Sequence, residues 1–196
     1  MNKEITNILI CGIGGQGILL FSDILGEVAM ENGFLVKKSE VKGMAQRGGS
    51  VISHLRFGKE VYSPLIPLKE ADFLVSMEKL EALRYLDYLK EDGILITDNF
   101  YMPPLPVLVG EVEFESHTID KNLKEKVKNL YYLPAQKIAK ELGDIRISNI
   151  ILLGFLSNFL PFKIDDYLKV IERNVKKEYL ELNKKAFLKG REIFSQ

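Results

Sequence analysis

The architecture of this chain follows from Asn7-Ile8-Leu9-Ile10-Cys11-Gly12-Ile13-Gly14-Gly15-Gln16-Gly17, an apolar segment that runs directly into a glycine-rich one. Gly12, Gly14 and Gly17 fall at the G-x-G-x-x-G spacing, which is typical of a tight turn between a strand and a helix. Without side chains, the backbone can turn sharply there and approach other groups closely. The pattern predicts a strand, a turn and a helix whose free N–H groups favour a negative charge.

The region after this turn does not match a standard dinucleotide site. Such a site carries an acid about 20 residues further on, which holds a ribose. Around that distance the chain has Lys37, Lys38 and Ser39, and the nearest acid, Glu40, comes slightly late. The glycine pattern therefore favours a Rossmann-like turn that binds another group, or none, over true dinucleotide binding.

The segments that follow alternate between helical and strand patterns. Apolar residues recur at helical spacing up to Asn32-Gly33, and Lys79–Leu89 reads as a second helix. Predicted strands cover residues 34–39, 50–57, 72–77 and 93–97. This alternation predicts an α/β fold, a Rossmann-like and mostly parallel sheet with helices on both faces.

The middle of the chain is less regular. Met102–Pro106 is predicted as a loop or extended segment, because proline lacks an N–H donor. Val109–Ile119 is predicted as a strand or hairpin, and Leu130–Leu133 as a further strand. Pro134 suits the start of a helix that Gly143 ends.

A helical C-terminal portion follows, with predicted helices over residues 148–160, 165–175 and 178–194. Asn183, Ala186 and Gly190 share one stripe of the last helix, which predicts close packing on another element. We expect that element to be the chain's own sheet, with a partner protein as the alternative. Asp165 and Asp166 are predicted to cap the preceding helix.

Composition indicates one compact domain over residues 1–196. The net charge is zero, from 27 basic and 27 acidic side chains, which argues against a nucleic-acid surface. The longest apolar run, Ile150–Leu160, is too short to span a bilayer, and the opening residues lack a signal-peptide pattern. We expect a cytoplasmic protein with no membrane contact.

Cysteine usage limits the redox chemistry of the chain. An iron–sulfur cluster needs four thiolates, or two thiolates and two histidines. This chain has one cysteine, Cys11, which we expect to be a buried, inert thiol, and His54 and His117 lie far apart. No Gly-Asp-Gly segment followed by Asn marks a thiamine diphosphate and magnesium site. The chain cannot supply these ligands alone.

A second glycine motif carries a family resemblance. Ser39-Glu40-Val41-Lys42-Gly43-Met44-Ala45-Gln46-Arg47-Gly48-Gly49-Ser50-Val51, together with Gly12–Gly17, resembles the gamma subunit of 2-oxoacid:ferredoxin oxidoreductases. Met-Ala-Gln-Arg-Gly-Gly is similar to the branch of the indolepyruvate oxidoreductase beta subunit, although Lys42 stands where that branch is expected to have His. Further agreement lies in Ser63–Pro67, Glu78–Leu83, Ile138–Gly143 and Asn149–Gly154.

The resemblance implies a non-catalytic structural subunit with one gamma-type domain. The family's reaction is the oxidative decarboxylation of a 2-oxoacid to an acyl-coenzyme A, with electrons passed to ferredoxin. Thiamine diphosphate, Mg and iron–sulfur clusters are then expected on partner subunits, with coenzyme A as a co-substrate of the complex. No catalytic residue or metal ligand is expected on this chain, and homodimerisation of the isolated chain is left open.

The resemblance also suggests which residues bind a ligand or a partner. The Arg47 guanidinium can hold a carboxylate or phosphate at two points, or brace its own loop. Gln16 offers a donor and an acceptor to an incoming group, or faces solvent. The predicted ligand- or interface-binding residues are Gly12, Gly14, Gly15, Gln16, Gly17, Gln46, Arg47, Gly48, Gly49 and Ser50.

Other polar residues favour structural interpretations. His54 is expected to be a hydrogen-bonded histidine of the sheet rather than a proton carrier. Ser116 and His117 have no recognisable acid partner, which argues against a Ser-His-Asp triad.

Two other function classes share the glycine turn. A nucleotide-binding adenylyltransferase of the ubiquitin-activating type also uses such a turn, but the expected Asp after the second strand and a pair of Cys-x-x-Cys motifs are missing. A stand-alone dinucleotide-binding regulator, such as an NAD sensor, would need the missing ribose acid.

Overall fold

The computed structural model describes residues 5–42, 49–111 and 117–194, which form a mixed six-stranded sheet in the order β2-β3-β1-β4-β5-β6. The strands are β1 (Ile5–Ile13), β2 (Leu35–Lys42), β3 (Ser50–Gly58), β4 (Ala71–Ser76), β5 (Leu89–Asp98) and β6 (Asn129–Leu133). The helices are α1 (Ile18–Glu31), α2 (Lys79–Arg84), α3 (Leu105–Leu108), α4 (His117–Lys126), α5 (Ala135–Leu142), α6 (Ser148–Leu156), α7 (Ile164–Asn174) and α8 (Leu180–Ile193).

The predicted mostly parallel sheet is confirmed, with one exception at β3. Strands β1, β4, β5 and β6 run parallel to their neighbours in this series. Strand β3 is antiparallel to both β1 and β2, so that it separates these two strands. A strand inserted in this way moves the end of β2 about 5 Å further from β1 than a direct neighbour would be.

Helices cover both faces of the sheet, as predicted. Ile8 and Ile10 of β1 point towards α1 and the C-terminal helices, while Leu9 and Cys11 point towards α2 and α4. All four side chains are fully buried. This explains the continuous apolar run of β1, since a central strand covered on both faces has no solvent side.

The C-terminal helices pack on each other through glycines. A Cβ atom on Gly154 of α6 would lie 2.1 Å from the carbonyl oxygen of Phe187, and one on Gly190 of α8 would lie 2.0 Å from that of Ile151. The two helix backbones therefore touch directly. Gly190 therefore packs within its own chain on α6 rather than on the sheet, and α6 is also the main neighbour of the helix that carries Asn183 and Ala186.

Two predicted boundaries in the first half are wrong. The helix predicted over Lys79–Leu89 ends at Arg84, and after a 3₁₀ turn over residues 86–88 Leu89 already begins β5. Leu89 pairs with Ala71, and a Cβ atom on Gly93 would lie 3.0 Å from the Ala71 carbonyl oxygen. Asp92 and Gly93 lie within β5, and the glycine permits this close approach of the two strands.

The strand or hairpin predicted over Val109–Ile119 is wrong for the described parts of this range, residues 109–111 and 117–119. Ile119 lies in helix α4, where it and Leu123, four positions on, are fully buried. The loop predicted over Met102–Pro106 ends in the short helix α3, because Pro106 lies in its first turn, where no N–H donor is required. Residues 112–116, including Ser116, lie outside the described residues.

Residues 5–42, 49–111 and 117–194 contain no helix that combines the length and the apolar character needed to cross a bilayer.

Candidate functional site

The predicted glycine turn lies at the edge of the sheet where ligands bind in open α/β folds. The carboxyl ends of the parallel strands β1, β4, β5 and β6 meet at this edge, and the antiparallel strand β3 begins there with Ser50. The chain runs from β1 through α1 to β2 and β3 on one side of β1, and then crosses to β4 on the other side. Such a switch point leaves a crevice beside the strand ends.

Two glycines of the turn are required by close packing. A Cβ atom on Gly12 would lie 2.7 Å from Oε1 of Gln16 and 2.9 Å from Cβ of Met77. Gly17 precedes α1 with φ of +75°, in the left-handed region. Its carbonyl oxygen accepts a 3.0 Å hydrogen bond from Nδ2 of Asn149, and a Cβ atom would lie 2.3 Å from that nitrogen. Gly17 is therefore in tight contact with α6.

Gln16 holds the turn together from inside. Its Oε1 accepts a 2.7 Å hydrogen bond from the Ile13 N–H, and its Nε2 donates to the carbonyl of Met77 at 3.3 Å. The side chain thus ties the end of β1 to the residue that follows β4. These two hydrogen bonds occupy the amide oxygen and one amide hydrogen of Gln16. The binding of a ligand or partner by Gln16 stays a prediction.

The two glycine motifs of the sequence meet at this edge. The Gly14 N–H donates a 2.8 Å hydrogen bond to the carbonyl of Gly49. Gly15, with φ of +102°, has open space where a Cβ atom would stand. The other members of the second motif, Gln46, Arg47 and Gly48, lie outside the described residues.

Ser50 connects the second motif to α2. Its hydroxyl donates to Oε2 of Glu81 and lies 2.9 Å from the hydroxyl of Tyr85. Glu81 is buried, and its other oxygen accepts a 3.1 Å contact from Nε of Arg84. The sequence analysis did not single out Glu81 or Tyr85. They follow Glu78 by three and seven positions, a spacing that places all three residues on one side of a helix.

Glu78 is a buried carboxylate that joins α2 to the segment before α3. Only 1% of its surface is exposed. Its two oxygens accept hydrogen bonds from the Glu81 N–H at 2.9 Å and the Met102 N–H at 3.1 Å. Burial raises the pKa of Glu78, while these backbone donors lower it. The residue caps α2 and positions the chain that follows β5.

Asp98 plays the corresponding part at the end of β5. Its side chain is 2% exposed and accepts hydrogen bonds from the N–H groups of Ala135, at 3.0 Å, and Gln136, at 3.2 Å, in the first turn of α5. Burial raises the pKa of Asp98 to about 7, against the opposing effect of its backbone donors. No sequence motif pointed to this residue.

Cys11 and His54 behave as the sequence predicted. Cys11 is fully buried with its Sγ 3.3 Å from Oγ of Ser76, and burial raises its pKa, so that the thiol stays protonated. His54 is 4% exposed, and its Nδ1 accepts a 3.2 Å hydrogen bond from the Ile66 N–H. Burial lowers the pKa of His54, which favours the neutral ring that this acceptor role of Nδ1 requires.

Away from this edge, the capping prediction is confirmed for Asp166, which accepts a 3.2 Å hydrogen bond from the Lys163 N–H. His117 begins α4.

The described part of this edge presents carboxylates that are held by hydrogen bonds within the chain. In the part of the chain that the structure describes, no group of three or more His, Cys, Asp and Glu residues is arranged to hold a metal ion. The carboxylates of Glu78, Glu81 and Asp98 receive N–H and hydroxyl donors of the chain itself. These bonds fix the start of β3 against α2 and the end of β5 against the start of α5.

Comparisons of the sequence with known proteins agree along nearly the whole chain. The profile of the family described as pyruvate ferredoxin/flavodoxin oxidoreductase matches residues 7–193. The indolepyruvate oxidoreductase subunit IorB of Pyrococcus horikoshii is 38% identical over 92% of each chain. The 2-oxoglutarate synthase subunit KorC of Methanothermobacter marburgensis is 28% identical over 100% of this chain and 98% of its own.

Solved structures show the same fold. The gamma subunit of a keto/oxoacid ferredoxin oxidoreductase from Geobacter sulfurreducens superposes with a TM-score of 0.70 and 24% identity, covering 95% of this chain and 96% of its own. A 2-oxoglutarate:ferredoxin oxidoreductase from Magnetococcus marinus, solved with 2-oxoglutarate, coenzyme A and succinyl-CoA, gives a TM-score of 0.75 at 20% identity. It covers 99% of this chain and 32% of its own.

Proposed function

Because this chain belongs to the pyruvate ferredoxin/flavodoxin oxidoreductase family, we propose that it is a structural subunit of a 2-oxoacid:ferredoxin oxidoreductase complex. The observation that carries the proposal is the match of residues 7–193 to the family profile, together with relatives that are themselves named as subunits. Residues 1–196 then form one gamma-type domain. The complex carries out the coenzyme A-dependent oxidative decarboxylation of a 2-oxoacid and passes electrons to ferredoxin.

The proposed substrate is indolepyruvate or a similar aromatic 2-oxoacid. Relatives named as indolepyruvate oxidoreductase subunits are 38% and 35% identical to this chain, whereas those named as 2-oxoglutarate synthase subunits are 28% identical. Lys42, where the resemblance to this branch implies His, is a departure at the second motif.

The cofactors are proposed to lie on partner subunits. An iron–sulfur cluster needs more thiolates than the one cysteine of this chain, and that cysteine is buried in the sheet. Thiamine diphosphate, Mg and the clusters would supply the decarboxylation and the electron transfer from those subunits. This chain contributes a preformed surface, and the isolated chain is expected to be inactive. The cytoplasmic location stays a prediction.

The other two function classes gain no support from the comparisons. The geometry also disfavours a dinucleotide site, because β3 separates β1 from β2, and the late acid Glu40 contacts Lys38 at 2.8 Å. An adenylyltransferase and an NAD-sensing regulator both need a ribose or nucleotide ligand at that place.

The proposed binding surface consists of both glycine motifs, Gly12–Gly17 and Gln46–Ser50. The hydrogen bond from Gly14 to Gly49 supports a single surface, since it fixes one motif against the other. Ser50 is held by Glu81, and Gln16 by Ile13 and Met77, so these side chains keep their positions before a partner or ligand arrives. Preorganisation of this kind lowers the entropic cost of association.

Co-purification tests the proposal. A tagged full-length chain, expressed with the products of its neighbouring genes, is expected to bring down a subunit that carries iron–sulfur clusters, seen by its visible absorption. Arg47→Ala is expected to reduce the amount recovered at least five-fold or to raise the KM for coenzyme A. Lys59→Ala, an exposed change at the opposite end of β3, is the control. Recovery of the chain alone would contradict the proposal.

A further inference from the structure

Strand β2 is an edge strand of the sheet. It pairs with β3 on one side, and within the described residues no second strand pairs with it. An edge of this kind presents backbone N–H and C=O groups to a further strand. Leu35 and Val41 are 56% and 53% exposed, so this strand also leaves apolar side chains in solvent.

The side chains of β2 divide between two faces. Lys38 donates to Asp23 of α1 and contacts Glu40, which places Lys38 and Glu40 together on the α1 face. On the other face Ser39 lies opposite His54, and Val41 lies opposite Ile52, in the register with β3. The ion pair of Lys38 and Glu40 therefore lies near the middle of the strand on one face, while Lys37 lies on the other face with Ser39 and Val41.

A second copy of the same strand can pair with β2 antiparallel around a twofold axis perpendicular to the sheet. Opposed residues then come from the same face, and a residue on the axis faces itself. Nearly all residues of β2 can pair when the twofold axis passes through Lys38 or through Ser39. With Lys38 on the axis, Lys38 faces Lys38 of the second copy, and like charges directly opposite destabilise a pair.

With Ser39 on the axis, the charges are complementary. Lys38 then faces Glu40 of the second copy, and the symmetry repeats this contact on the other side of the axis. Lys37 faces Val41 of the second copy, where its aliphatic stem covers the exposed side chain. Residues 36–42 of both copies pair in this register.

We propose that the β2 edge is a self-association surface, at which two copies of this chain join their sheets with Ser39 on the twofold axis. The exposed side chain of Val41 and the self-complementary charges carry this inference, and it does not depend on the proposed function. Lysines on an edge strand often serve to prevent pairing. Here Lys38 already has two acidic neighbours, so its charge does not repel a second copy that brings Glu40 against it.

A cysteine at the axis tests the proposal. Opposed residues of antiparallel strands have Cα atoms about 4.5–5.5 Å apart, within the range of a disulfide. Ser39→Cys in the full chain is therefore expected to give a disulfide-linked dimer on mild oxidation, read on a non-reducing gel. The native Cys11 is fully buried and does not interfere.

Lys37→Cys is the matched control, because it is exposed on the same strand but does not face itself. In the proposed register the two cysteines would lie about 13 Å apart, too far to join. We expect at least five-fold more linked dimer from S39C than from K37C, in the isolated chain or in the co-purified complex. Equal linking of the two variants, or no linking, in both preparations overturns the proposal. Absent linking is also the result expected if a strand of another subunit occupied this edge, and it counts against the proposal in the same way.

Discussion

At the scale of single residues, the turn uses glycine for two different reasons, a left-handed backbone conformation and close packing against another residue. Gly17 has a positive φ and also lies against Asn149, whereas Gly15 has a positive φ and open space. The pattern in the sequence predicted the turn but could not separate these two cases, because Asn149 is far away along the chain. The contacts of Glu78 with Met102, of Glu81 with Ser50 and of Asp98 with Ala135 were not predicted for the same reason, since these partners come from other elements.

Gly17→Ala is expected to destabilise the protein more than Gly15→Ala. Strain from the positive φ costs about 1 kcal/mol at either position, and the overlap with Asn149 raises the loss at Gly17 to about 3 kcal/mol. Urea unfolding of both variants measures the difference. Equal losses would show that the contact with Asn149 does not hold the turn.

The stability that depends on Asp98 is expected to fall as the pH rises. The pKa of Asp98 is raised from 3.8 to about 7, so the folded state binds more protons than the unfolded state between these values. Its contribution is therefore lost between about pH 4 and pH 7, by about 1 kcal/mol per pH unit.

Asp98→Asn removes this titration and keeps the shape of the side chain. Urea unfolding at pH 4.5, 6 and 8 should show the stability of the wild type falling relative to D98N as the pH rises, with little change above pH 7. A difference that is constant, or that grows with pH, contradicts this account of Asp98.

At the scale of secondary-structure elements, the sequence predicted best where one pattern was strong. Strand β3 and the helix from Pro134 to Gly143 were correct, since alternation and capping signals are local. The helix α4 was missed, because Ile119 and Leu123 gave only two apolar positions in a polar segment. The insertion of β3 between β1 and β2 could not be predicted, since strand order depends on contacts distant in sequence.

The contact between α6 and α8 makes Gly190 sensitive to substitution. Gly190→Ala raises helix propensity by about 1 kcal/mol, but its methyl group would overlap the carbonyl oxygen of Ile151 and force the helices apart. We expect a net loss of about 3 kcal/mol.

The control for G190A is Lys189→Ala, next to it on the exposed side of α8, with a change of no more than about 0.5 kcal/mol. Thermal unfolding of both variants checks the prediction. If G190A is as stable as K189A, the helices are not in backbone contact.

At the scale of the whole molecule, the family was predictable from the two glycine motifs, and the comparisons confirm it. The contact between the two motifs was not predictable, because the hydrogen bond from Gly14 to Gly49 joins segments that are distant along the chain. The structure presents this pair at the carboxyl edge of the sheet. Function then depends on what binds there, which we propose to be the subunits that carry the cofactors.

The most direct measurement compares turnover by the isolated chain and by the co-purified complex. Both are supplied with a 2-oxoacid, coenzyme A, thiamine diphosphate, Mg²⁺ and oxidised ferredoxin, and the reduction of ferredoxin is followed by absorbance. We predict reduction by the complex, dependent on coenzyme A, and none by the isolated chain. Ferredoxin reduction by the isolated chain would contradict the central claim that this protein is a structural subunit.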